Sequence, residues 1–98
     1  MNHSVFMKVV HLLIHGYVQG VGYRKFVRHL ATKFGLVGWV RNLPEGTVEA
    51  EVGGEKDHIN DLIQICKKGP MLSDVTKVDV EWSEKDFEYT DFVIRHEV

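Results

Sequence analysis

The sequence predicts an α+β sandwich: an antiparallel sheet with two helices on one face, in the order β-α-β-β-α-β, followed by a short terminal strand. Three observations carry that prediction. Apolar residues alternate with period two over about residues 7–15, 47–52 and 75–83. They recur at helical spacing over about residues 23–34 and 55–68. Glycine or proline punctuates the joints between these runs.

The first strand covers about residues 7–15, with Val10, Leu12 and Ile14 on one face and Val9, His11 and Leu13 on the other. The apolar run around it, residues 5–14, holds Lys8 and His11 and lacks a small-residue cleavage site. It is also too short to span a bilayer, so a strand is expected and not a leader. A glycine loop over residues 16–22 leads into a helix over 23–34. Phe26, Val27, Leu30, Ala31 and Phe34 form its buried stripe, and Gly35 is its stop. The second strand covers about residues 36–43, and Pro44-Glu45-Gly46 has turn chemistry.

In the third strand, about residues 47–52, Val48, Ala50 and Val52 alternate with Glu49 and Glu51, so one face is expected to be a solvated one. Gly53-Gly54 breaks it. The second helix, about residues 55–68, buries Ile59, Leu62, Ile63 and Cys66. Lys67 and Lys68 suit its C-terminal dipole, and Gly69-Pro70 ends it. The fourth strand, about residues 75–83, carries Val78, Val80 and Trp82 in alternation, and a short last strand covers about residues 92–96. The whole order is the split βαβ, or ferredoxin-like, plan, in which right-handed crossovers put both helices on one face.

Ninety-eight residues form one domain, 1–98, large enough for a core without disulfide or metal. A formal net charge of −2, with twelve Lys and Arg spread along the chain, argues against a nucleic-acid footprint and against a basic membrane-binding block. The single cysteine, Cys66, cannot pair internally, which suits a reducing compartment such as the cytoplasm.

The chemistry concentrates in Gly16-Tyr17-Val18-Gln19-Gly20-Val21-Gly22-Tyr23-Arg24. Glycine lets backbone N–H groups turn toward a bound group and approach it closely. A helix N-terminus adds unpaired donors and a positive dipole end. Arg24 then stands where a cation is unfavourable unless an anion offsets it, and no near sequence neighbour is acidic. Loop amides plus a guanidinium make a phosphate cradle, formed by Gln19, Gly20, Val21, Gly22, Tyr23 and Arg24. It is neither a Walker loop nor a dinucleotide fingerprint, because no Gly-Lys-Ser/Thr follows and the glycine spacing differs.

A second segment, Gly38-Trp39-Val40-Arg41-Asn42-Leu43-Pro44-Glu45-Gly46-Thr47-Val48, reads as strand, turn, strand. By periodicity alone Asn42 is a turn-capping residue. Together the two segments resemble the acylphosphatase family, which carries G-x-V-Q-G-V-x-[FY]-R and G-[WYF]-V-x-N-x-x-[DE]-G-x-V. The resemblance extends over residues 7–94. It implies hydrolysis of carboxyl–phosphate anhydrides, with Arg24 binding the phosphoryl group and Asn42 orienting the attacking water. It also implies no metal, no cofactor, a small-molecule acyl phosphate as partner, no nucleic acid or membrane, and a monomer. Two rival functions are a non-catalytic ferredoxin-like binding module, for RNA for example, and a carbamoyl-phosphate-handling domain of the hydrogenase-maturation type. RNA binding needs exposed aromatics on the sheet, for which Tyr17 and Trp39 are the candidates near the motifs.

The remaining polar residues have simpler expected roles. His11 and His15 are about 13 Å apart along a strand, too far to share an ion, and His3, His29, His58 and His96 are scattered. Cys66 sits on an apolar stripe, as a core residue does. Trp39 and Trp82 are expected to pack on the sheet. Ser4, Ser73 and Ser83 have no partner pattern for nucleophilic catalysis.

Overall fold

The computed structural model describes residues 6–96; His3 and Ser4 lie outside them. The elements are β1 (Phe6–Tyr17), α1 (Tyr23–Lys33), β2 (Val37–Asn42), β3 (Val48–Gly53), α2 (Lys56–Lys68), β4 (Asp74–Asp86) and β5 (Phe92–Ile94). One sheet has the order β4-β1-β3-β2-β5. β1 pairs antiparallel with β3 and β4, and β3 with β2. The split βαβ plan is therefore present. The terminal strand departs from an all-antiparallel sheet: β5 runs parallel to β2, with Trp39 opposite Val93.

The core lies between the sheet and the two helices. Val10, Leu12 and Ile14 face Val52, Ala50 and Val48 across the β1/β3 ladder, and all six are fully buried. Val27, Leu30 and Ala31 of α1 and Ile59, Leu62, Ile63 and Cys66 of α2 close over them. Phe26 and Phe34 pack at the margin, half-buried. Tyr23 takes the deeper place at the start of the α1 stripe, 1% exposed, and its hydroxyl donates to the Cys66 carbonyl at 2.6 Å. Burial raises the Tyr23 phenol well above its ordinary value and pushes the Cys66 thiol up to about 12, so neither is an ionisable catalyst near neutral pH.

β1 and β4 are longer than the alternation pattern suggests. A 13-residue strand spans about 43 Å, whereas the 13-residue α2 spans about 20 Å. Val80 and Trp82, on the edge strand opposite Leu12 and Val10, remain 39% exposed.

The opposite face of the sheet differs from the solvated face expected at Glu49 and Glu51. Arg41 Nε donates to Glu49 Oε1 at 2.7 Å, His11 Nε2 lies 2.8 Å from Glu49 Oε2, and Lys85 Nζ donates to Glu51 Oε2 at 2.8 Å. These partners come from neighbouring strands, which a single strand's pattern does not display. Trp39, 6% exposed, lies on this side with the Arg41 and Arg95 guanidinium carbons 5.2 Å and 4.9 Å from its ring centroid. It packs on the sheet, as expected, and is closed to a stacking base.

Candidate active site

Gly16 sits in β1, not in the loop. It follows a register shift between His15 and Gly16 opposite β4, at φ 121°. A Cβ there would collide with the Asp74 carbonyl oxygen, so this glycine serves the approach of two strands. The loop proper is residues 18–22. Gly20 and Gly22 adopt φ 77° and 78°, and the space around each is open. Their left-handed backbone turns the chain directly into α1, with Gly22 as N-cap and no side chain capping the helix.

The consequence is a run of free donors. Phe26 N–H makes the first bond back, to the Gly22 carbonyl at 3.1 Å. Among the described residues, no backbone N–H from 18 to 25 donates to a backbone or side-chain acceptor. The first turn of α1 holds no acidic residue. A positive helix end lined with unpartnered amides binds an oxyanion.

A cavity of about 330 Å³ opens at this loop. Gly20, Gly22, Tyr23 and Arg24 line one side, and Asn42, the last residue of β2, lines the other. The structure thus brings together Arg24 and Asn42, 18 residues apart in the chain. The Asn42 Oδ1 is shielded and accepts no hydrogen bond among the described residues. A shielded carbonyl oxygen of that kind lacks the acceptor contact that buried amides ordinarily make. Val21 packs against the core instead of lining the cavity.

Gln19 fixes the two sides together. Its Nε2 donates to the Leu43 and Thr47 carbonyls, each at 2.8 Å. Those two residues close the hairpin, Leu43 N–H donating to Thr47 O at 2.9 Å. The Gln19 side chain is committed to the hairpin, which leaves its backbone amide for an anion.

Five lining residues were not identified as site residues from sequence: the apolar Val18 and Ile94, and the polar Lys25, Arg28 and His96. Arg24 Nη1 donates to His96 Nδ1 at 3.3 Å, so that ring nitrogen is unprotonated in this arrangement. His96 arrives because β5 lays its C-terminal end beside β2, a pairing with no local signature. Lys25 and Arg28 follow Arg24 on α1, and helical spacing from Arg24 would have found Arg28. Among the described residues no three of His, Cys, Asp and Glu converge as a metal ligand set. His11 and His15 are engaged by Glu49 and Asp79 respectively.

These features fit what the comparisons find. The acylphosphatase family model matches residues 10–94. The acylphosphatase of Caldivirga maquilingensis is 45% identical over 89 residues, covering 90% of this chain and 94% of that one. A crystal structure of acylphosphatase from Bacillus subtilis superposes with a TM-score of 0.88 at 34% identity, covering 91% of this chain and 99% of the other. Full-length HypF, in its phosphate- and nucleotide-bound form, matches 96% of this chain with a TM-score of 0.78 and 33% identity, but only 12% of its own length. The family model and these relatives cover nearly the whole chain, the fold superposes on theirs, and the chain belongs to the acylphosphatase family.

Proposed function

We propose that the acyl-phosphate hydrolysis of this family is carried out here with the phosphoryl group held by Arg24 and the amides of Gln19, Gly20, Val21, Gly22 and Tyr23, while Asn42 orients the attacking water. The observation that carries this reading is the meeting of Arg24, the unpartnered loop amides and the unpartnered Asn42 Oδ1 around one cavity. A guanidinium offers a planar fork to two phosphoryl oxygens. An amide oxygen accepts one proton of a water and leaves a lone pair of that water free to face phosphorus.

The chemistry requires little more. The water oxygen bonds to phosphorus as the bond from phosphorus to the acyl oxygen breaks, and the carboxylate departs with the electron pair. Carboxylate is a stable leaving group without protonation. Phosphoryl transfer passes through a loose transition state in which positioning and charge stabilisation dominate. A phosphoryl oxygen takes the proton that the water loses. Arg24 and the helix end supply the positive charge, so the reading is of a metal-independent enzyme. It further takes the protein to be a cytoplasmic monomer, a location that its single, buried cysteine suits.

The test is phosphate release from benzoyl phosphate with and without a chelator, alongside competitive inhibition by inorganic phosphate. Chelator-insensitive turnover with competitive inhibition is expected. Turnover that vanishes with the chelator overturns metal independence, and failure of phosphate to compete overturns the cradle.

A further inference from the structure

Arg24 stands at the positive end of α1 without a carboxylate partner among the described residues. Its one hydrogen bond among them runs from Nη1 to the His96 Nδ1, at 3.3 Å. The backbone that carries this ring is fixed by another element. Ile94 of β5 lies opposite Val40 of β2, and the Arg95 N–H donates to the Val40 carbonyl at 2.9 Å. His96 follows directly, and β2 goes on to end at Asn42. One strand pair thus sets both Asn42 and the imidazole at the cavity of the loop.

The point of attachment matters. In a guanidinium, Nη1 lies on the Cδ side, while the Nε–H and one N–H of Nη2 point the other way, side by side. A bond at Nη1 therefore leaves the Nε/Nη2 fork free for two oxygens of an anion. It also restricts a long side chain that has no other anchor at its end. A carboxylate in the same place would compete with a phosphoryl group for the guanidinium. A neutral imidazole orients Arg24 and leaves its charge uncancelled.

The hold requires a lone pair on Nδ1. Once the ring is protonated, Nδ1 becomes a donor facing a donor, and the ring adds a cation. The charged groups that share its cavity are Arg24, Lys25 and Arg28, all on α1. Asn42 of β2 and Ile94 of β5 are uncharged, and among the described residues no carboxylate lines the cavity. The ring is exposed, so it exchanges protons directly with solvent.

We propose that His96 is a positioning residue for the reaction: its neutral Nδ1 holds the Arg24 guanidinium with the Nε/Nη2 fork toward the phosphoryl group, and protonation of the ring releases it. The proposal rests on the assignment of the phosphoryl group to Arg24. His96 takes no proton from the attacking water and touches no reacting atom. Activity falls as pH drops through the range in which imidazoles titrate, from about pH 8 to about pH 5.

Two variants test it, each assayed per folded molecule with benzoyl phosphate across that range. His96→Phe keeps a planar ring and removes the acceptor. At the alkaline end its kcat/KM should fall by about tenfold, with weaker inhibition by phosphate. His96→Gln offers a carbonyl oxygen that does not titrate, and it should restore most of that loss. Toward the acid end wild type should decline to the His96→Phe level, so the ratio of wild type to His96→Gln falls from about one to about one-tenth. Ionisation of the substrate acts on every protein alike and cancels in this ratio. A ring with a merely structural role leaves the ratio constant with pH, and a constant ratio overturns the proposal. Wild-type efficiency in His96→Phe overturns it as well. So does a His96→Gln variant as impaired as His96→Phe at the alkaline end, because the ring would then act as a base. Arg24→Gln separates the proposal from the reading beneath it. A large loss there with no effect at His96 overturns the positioning alone, whereas near-wild-type turnover in Arg24→Gln overturns the phosphoryl assignment and the positioning with it.

Discussion

The loop before α1 and the outer face of the sheet are both dense in polar groups, and they treat those groups in opposite ways. On the sheet, charges find partners within the protein: Glu49 takes both Arg41 and His11, Glu51 takes Lys85, and Asp79 takes His15. At the loop, the amides of residues 18–25 and the Asn42 Oδ1 have no such partners among the described residues. Polar groups satisfied internally hold the sheet together. Groups left unsatisfied in a cavity await a ligand, because an unmade buried hydrogen bond costs more than a made one gains. The same distinction divides the glycines. Gly16 is there because a Cβ would strike the neighbouring strand, whereas Gly20 and Gly22 have open space around them and serve the turn of the loop.

The largest effect that would break this contrast is expected at Arg24. Arg24→Lys keeps the charge and loses the fork, so kcat/KM for benzoyl phosphate should fall by about 10³-fold and phosphate inhibition should weaken. The urea midpoint should hardly move. Near-wild-type efficiency would mean that a point charge suffices.

Asn42→Ala comes next, with turnover falling by about 10²-fold while the inhibition constant of phosphate stays put, the pattern of an interaction made chiefly in the transition state. If Asn42 is instead only a hairpin cap, the midpoint drops by about 1 kcal/mol in stability and turnover per folded molecule is unchanged.

Gln19 sharpens the comparison because it lies inside the loop motif yet is fully engaged. Gln19→Ala should loosen loop from hairpin, reducing kcat/KM by about tenfold and stability by about 1–2 kcal/mol together. A loss confined to phosphate affinity would instead place its side chain on the anion.

The smallest catalytic effect is expected at Glu49. Glu49→Gln should leave turnover per folded molecule unchanged and lower stability by about 1–2 kcal/mol near neutral pH. Burial works against the charged form of Glu49, but hydrogen bonds from His11 and Arg41 outweigh it and hold the carboxyl below its ordinary value. Its contribution is thus full above the ordinary carboxylate range and is lost as pH falls through the lowered folded value. The stability gap between wild type and Glu49→Gln should close on acidification through that range. A gap that persists undiminished at about pH 2 would show that the ion pairs are not its source.

Much of the fold was legible in local pattern. Period-two alternation located Val10, Leu12 and Ile14 and also Val48, Ala50 and Val52, because a half-buried strand writes its burial into every second residue. The helical stripes located Val27, Leu30 and Ala31 and the four buried residues of α2 for the same reason. Less was legible where the partner is distant in sequence. Tyr23 was expected as the first residue of α1 and a member of the cradle, and its side chain proves to lie in the core, with the hydroxyl donating to the Cys66 carbonyl. Glu49 and Glu51 looked solvated and are paired across strands.

By itself, the sequence determined the order of elements, the faces they bury, and a glycine loop opening onto a helix that begins with an arginine. These follow from backbone freedom and side-chain periodicity, which are local. Tertiary structure decided that β5 runs parallel beside β2 and so delivers His96 to Arg24. It decided that Gly16 belongs to a strand crossing and that Gln19 ties the loop to the hairpin carrying Asn42. It also set Lys25 and Arg28 around the same cavity as Asn42. Which groups end without a partner is fixed only when every strand and helix has taken its place, because hydrogen bonds and charge pairs depend on distances through space that the spacing of residues along the chain does not contain.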